Sequence, residues 1–156
     1  MSKKQLKKLE RNQDKPKAVV DTNIFVSGTI SPHGIARKIL DAIRLEKFIL
    51  VTSEKINEEI LEVLHREHIY PKYGLTERII DDICALLYEG SKLVQRLYIV
   101  EGIVSNSDDD KFLACALEGK ADYIISSDEH LLNLKYFHGI QIVNPIDFWE
   151  ILSKKT

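Results

Sequence analysis

Cysteine is nearly missing from this chain, which has only Cys84 and Cys115 among 156 residues. Neither belongs to a paired-cysteine motif and both sit inside apolar helical patterns. The expectation is therefore two buried, reduced thiols rather than a disulfide or a zinc site. Long hydrophobic runs are missing too, since no stretch approaches the roughly 18 to 20 apolar residues that cross a bilayer. The opening MSKKQLKKLERNQDKPK is charged where a secretory signal carries an apolar core. No membrane partner is expected, and the reading is a cytoplasmic protein. There is no internal repeat, no low-complexity tract, no Ser/His/Asp triad, no cysteine nucleophile and no GxxxxGK phosphate loop. His65 and His68 stand three apart with no further Cys or His partner nearby, so they read as surface residues.

What is present suits one compact domain: 44% of the residues are hydrophobic, enough for a core of its own. The net charge of −2 conceals an asymmetry. Residues 1–17 carry seven Lys/Arg against two acids, leaving 15 basic and 22 acidic residues, a net charge of −7, in the body. A basic tail on an acidic body is a hand-hold for a polyanion. The division expected is a flexible basic leader over 1–16, a single domain over 17–152 and a short tail over 153–156.

Within the domain, apolar strand-like runs alternate with helical periodicity, the pattern of a parallel α/β sheet. Strands are expected at Lys17–Asp21, Phe48–Val51, Leu97–Val100, Tyr123–Ser126 and Ile140–Val143. Helices are expected to open at Ser31 and Pro32, after a cap at Thr52 or Ser53, from Thr76 to a stop at Gly90, over 108–119, after Asp128 and after Pro145. Active sites of open parallel sheets lie beyond the carboxyl ends of the strands. Acids gather there: Asp21 closes the first strand, Asp110 lies in the first turn of a helix, and Asp128 follows the fourth strand by two residues. On a helical wheel Glu59 falls at the margin of the stripe made by Ile56, Ile60 and Val63, whereas Glu58 and Glu62 point outward. Carboxylates collected in one cleft repel one another unless a cation stands between them, and hard Mg²⁺ or Mn²⁺ ions take oxygen ligands. Helix geometry does not choose between Asp109 and Asp110.

The order DTN, a glutamate in the helix after the second strand, DKFLACA and ADYIISSDEHLL resembles the PIN-domain family over nearly all of Lys17 to Leu152. The resemblance implies a three-layer α/β/α sandwich around a parallel sheet of about five strands. It also implies a nuclease that uses Mg²⁺ or Mn²⁺ to cut single-stranded RNA. Carried across, Asp21, Glu59, Asp110 and Asp128 are the catalytic acids, with Asp21, Asp110 and Asp128 as metal ligands and Glu59 and Asp108 as further candidates. Asp110 takes the third place because it stands three residues before Leu113 and Ala114. Asn23 and Ser126 resemble residues that support Asp21 and Asp128 from behind. Small PIN proteins are often toxins of toxin-antitoxin pairs, so the candidate partners are single-stranded RNA, an antitoxin protein and a second copy of the chain.

Rival readings are a non-catalytic RNA-binding module and a nuclease of RNA maturation or decay. A phosphoacceptor receiver wants a paired acid beside Asp21, and a haloacid-type phosphatase wants an aspartate at position 23. This chain has Thr22 and Asn23. Tyr70, Lys72 and Tyr73 interleave aromatic and basic character as single-strand binders do, although an ordinary turn also accounts for them. Phe148 and Trp149 read as packing residues, and His130 stands beside Asp128 within reach of a substrate.

Overall fold

The apolar run at the start of the domain becomes β1 (Lys17–Val20), whose Ala18, Val19 and Val20 are buried, as a central parallel strand flanked on both faces requires. A computed structural model describes residues 1–7, 15–95 and 109–154 of the chain. The expected strand Leu97–Val100 and the candidate Asp108 lie outside the described residues.

β1 is followed by α1 (Thr22–Ile30) and α2 (Ile35–Arg44), then β2 (Ile49–Ser53), α3 (Glu54–Leu64), α4 (Glu77–Tyr88) and β3 (Lys92–Val94). The second half holds α5 (Asp110–Glu118), β4 (Tyr123–Ile125), α6 (Glu129–Leu132), β5 (Tyr136–Phe137), β6 (Ile140–Val143) and α7 (Pro145–Lys154). The sheet runs in the order β3-β2-β1-β4-β6-β5. β1 is parallel to both neighbours, with Ala18 opposite Leu50 on β2 and Tyr123 on β4. β3 and β6 extend the parallel set, and among the described residues β5 alone is antiparallel. Helices cover the sheet to give the three-layer α/β/α sandwich of the PIN-like class.

Besides β3, which stands at Lys92–Val94 where no strand is expected, three elements depart from the sequence expectation. α1 fills the stretch between β1 and the anticipated helix start, and Ser31 ends that helix rather than opening the next. Its buried residues Thr22, Ile24, Phe25, Val26 and Gly28 run around the helix instead of down one stripe, so it has no helical period to read. α2 begins only after Gly34, whose φ of 102° is open to glycine. The third is β5, which folds back on β6 through His138 and Gly139, both at positive φ, a two-residue hairpin turn.

Packing between α1 and α2 depends on Gly28, where an added Cβ would meet the Ala36 carbonyl oxygen at 2.7 Å. Thr76 and Ser53 cap α4 and α3 as anticipated, accepting from Ile79 N–H and Ile56 N–H, each at 3.3 Å. Both cysteines are free. Cys115 is fully buried, its thiol pushed up to about 12 by burial, whereas Cys84 is only half-buried. Phe148 is buried edge-on against Phe48 and Tyr123, with ring centroids 5.0 and 5.5 Å away, so it packs the core. No helix among the described residues is long and apolar enough to cross a membrane.

Candidate active site

The carboxyl ends of β1 and β4 are neighbours, and each strand hands its chain to a helix through an aspartate. Asp21 caps α1, its Oδ1 accepting the Asn23 N–H at 3.2 Å. Its Oδ2 accepts the Ser126 hydroxyl at 2.7 Å. The same Ser126 oxygen accepts the Asp128 N–H at 3.0 Å, and Asp128 caps α6 by accepting the His130 N–H at 2.8 Å. Ser126 is therefore a buried tie between two acids that lie 107 positions apart in the sequence. Asn23 supports Asp21 through its backbone N–H, while the residue itself is exposed.

The third acidic segment opens α5. Asp110 is half-buried and its Oδ1 is enclosed without a hydrogen-bond partner among the described residues, as is Oδ2 of the neighbouring Asp109. Asp109 is only 6% exposed, and burial raises its pKa to about 7, reinforced by the facing carboxyl and charge of Asp128 and by the charge of Asp21. Lys111 partly offsets that rise. Asp21 is also held above the ordinary carboxylate range, chiefly by burial, with the charges of Asp128 and Glu59 adding to it. The hydrogen bonds from Ser126 and Asn23 pull the other way. The charges of Asp128 and Glu59 thus bear on Asp21, and those of Asp128 and Asp21 on Asp109, as like charges gathered in one partly buried space.

Glu59 reaches this end of the sheet from α3. It is half-buried where Glu58 and Glu62 are exposed, the difference that the helical wheel anticipates. Its Oε2 lies 2.6 Å from Nζ of Lys111, a lysine whose side chain is only 7% exposed. Sequence reasoning passed over Lys111 and left Asp109 undecided. The signal for Lys111 was faint: a single charge between the acid run and FLACA, placed on a helix that is buried nearly all round.

Other candidates stay outside the cluster. His65 bonds through Nδ1 to the Leu61 carbonyl at 2.7 Å and lies 3.9 Å from Glu77, and His68 is exposed. Tyr70 donates to Glu77 at 3.0 Å and stacks on His65. Trp149 is half-buried beside Lys38 and Lys47, whose Nζ atoms stand 5.7 and 6.0 Å from its ring centroid.

Among the described residues, no group of three or more His, Cys, Asp or Glu side chains is drawn up to hold a metal ion. The present contacts account for the spacing, because Glu59 is turned to Lys111, Asp21 to Ser126 and Asp128 to the His130 amide. The donor chemistry fits a hard divalent cation all the same. Among the described residues two enclosed carboxylate oxygens lack donors, and two acids are driven toward protonation by burial and mutual charge.

A family model described as a PIN domain matches residues 17–130. The uncharacterized protein MJ1680 of Methanocaldococcus jannaschii is 34% identical over 121 residues, covering 78% of this chain and 76% of the relative.

Proposed function

Because the chain belongs to the PIN-domain family, whose fold is of nuclease type, we propose that it is a metal-dependent ribonuclease that hydrolyses phosphodiester bonds of single-stranded RNA. The observation that carries the reading is the convergence of Asp21, Glu59, Asp109 and Asp128 on one another at the carboxyl end of a parallel sheet.

Asp21, Asp110 and Asp128 would hold Mg²⁺ or Mn²⁺, with Asp109 as an added donor and Glu59 and Asp108 as further candidates. Such an ion, when bound, lowers the pKa of water and neutralises charge building on the scissile phosphate. The protein's own work is orientation. Ser126 ties the Asp21 carboxylate to the backbone of Asp128, and the His130 amide orients the Asp128 carboxylate. Lys111 directs the Glu59 carboxylate from the side of α5. Glu59 then aligns the attacking water, and cleavage leaves a 3′-hydroxyl and a 5′-phosphate.

The reading extends to a cytoplasmic toxin controlled by an antitoxin, with RNA maturation or decay as the rival role. A neighbouring reading frame for a small DNA-binding protein whose tail fits the acidic cleft would favour the toxin. The enzymatic claim is tested by incubating a mixed RNA pool with the protein in Mn²⁺ and in chelator. Mn²⁺-dependent fragments from the parent, lost in Asp21→Asn and Asp110→Asn proteins of unchanged circular dichroism, are expected. RNA binding without cleavage in any metal would leave a non-catalytic binding module.

A further inference from the structure

Beside the acid cluster lies a cavity of about 770 Å³. It falls in the range of about 300 to 1,000 Å³ typical of small-ligand sites. Its walls are made at the same end of the sheet, by α1, the 31–36 turn, Pro145 after β6, and Tyr73 in the loop between α3 and α4. Two of its residues join it directly to the acids. Asn23 gives its N–H to Asp21, and Ser127 stands between Ser126 and Asp128.

We propose that this cavity is a nucleobase subsite, which takes one unstacked base of a single-stranded chain next to the phosphate held at the acids. The proposal rests on the nucleic-acid reading above and specifies how the substrate is gripped. Among the described residues neither lysine nor arginine lines the cavity, and His33 is its one basic side chain, so it lacks a permanent charge for a phosphate. Ile24, Ile30, Ile35 and Pro145 supply apolar walls suited to a flat ring, and Ser27 and Ser127 supply hydroxyls at reach of base edges. Tyr73 is 45% exposed, and Lys72 Nζ lies 5.5 Å from its ring, so a stacking surface and a cation for the backbone stand together at the rim. A base inside a duplex could not enter such a cavity, which makes single-strandedness a consequence of its shape. Ser27 is exposed and takes no part in the acid cluster, so a large side chain there fills the cavity from solvent.

The test measures binding of a labelled hexaribonucleotide in chelator, where no cleavage intervenes, by fluorescence anisotropy. Ser27→Trp and Tyr73→Ala are each expected to weaken binding on the order of tenfold, the scale of one lost base stack. Tyr73→Phe should retain the affinity. An abasic residue at one position of the oligonucleotide should weaken the parent equally and abolish the difference between parent and variants. Unchanged affinity in both variants overturns the subsite, and cleavage by the parent in Mn²⁺ would then leave the nuclease reading standing. Conversely, abasic-sensitive binding with no cleavage in any metal supports the subsite and sinks the nuclease. A parent that binds neither intact nor abasic RNA overturns the subsite and leaves the cavity to a protein segment.

Discussion

Aspartates stand at both ends of this parallel sheet, and they do opposite work. At the amino end Asp122 accepts the Lys17 N–H at 2.9 Å through its carboxylate, donates its own N–H to the Lys17 carbonyl at 2.7 Å, and accepts the Gln141 N–H at 3.0 Å through its carbonyl. It ties β1, β4 and β6 together while remaining exposed. At the carboxyl end Asp21, Asp109 and Asp128 also cap or adjoin helices, yet they face one another and Glu59 across a partly buried space. Two oxygens there have no hydrogen-bond partner among the described residues. One end of the sheet spends its carboxylate on the backbone, whereas the other concentrates charge that opposes folding. Asp21 and Asp128 still cap helices, but the mutual charge they add is what sets this end of the sheet apart.

The widest gap between the two ends should appear in activity. Asp21→Asn and Asp110→Asn should reduce Mn²⁺-dependent RNA cleavage at least about 100-fold, equivalent to about 2.7 kcal/mol of transition-state stabilisation. Glu59→Gln should lose most of it, and Glu58→Gln, Glu62→Gln and Asp122→Asn should lose little. Single-turnover rates on one RNA check the ranking. An Asp122→Asn protein as inactive as Asp21→Asn would erase the distinction between the ends.

Stability should reverse the order. In chelator, Asp109→Asn and Asp128→Asn should melt above the parent because each removes one of the opposing carboxylates. Mn²⁺ at about 100 times its dissociation constant should stabilise the parent by about 2.7 kcal/mol and these variants by less. Equal shifts in all three melts would mean that the acids are caps and nothing more.

The pH dependence has a definite sign. The folded pKa of Asp109, raised to about 7, means that the native state keeps its proton longer than the unfolded chain does. Its destabilising effect is absent below the unfolded value near 4, grows as pH rises through the folded value and is constant above it. The melting advantage of Asp109→Asn over the parent should therefore be small at about pH 4 and full above about pH 7.5. A constant advantage across that range would assign it to something other than this carboxyl.

Smaller effects test the amino end and the leader. Asp122→Ala should cost about 1 kcal/mol, the typical net worth of a hydrogen bond to the backbone, with no dependence on Mn²⁺ in a denaturant melt. Removing residues 1–16 should lower RNA affinity a few-fold and flatten its salt dependence, since each lost phosphate contact reduces counterion release. Turnover at saturating RNA should stay the same. An unchanged salt slope would put all phosphate binding in the acidic body.

The sequence by itself determined the α/β class, the core strands β1, β2, β4 and β6, the caps at Ser53 and Thr76, and the family. These are local or periodic properties, written in patterns a few residues long. It also placed Glu59 apart from Glu58 and Glu62, because a helix repeats its geometry whatever surrounds it. α1 escaped notice because a helix buried nearly all round has no polar face to betray its period, and β5 because two residues are too short to carry one. The relation between Asp109, Asp128 and Lys111 was decided only in three dimensions. Capping, burial and salt bridging all favour the same residue types at a helix start, so DDDK alone cannot say which side chain turns inward. That choice follows from how α5 seats against β1, β2 and β4, which brings Lys111 to Glu59 and Asp109 to Asp128 across segments far apart in the chain.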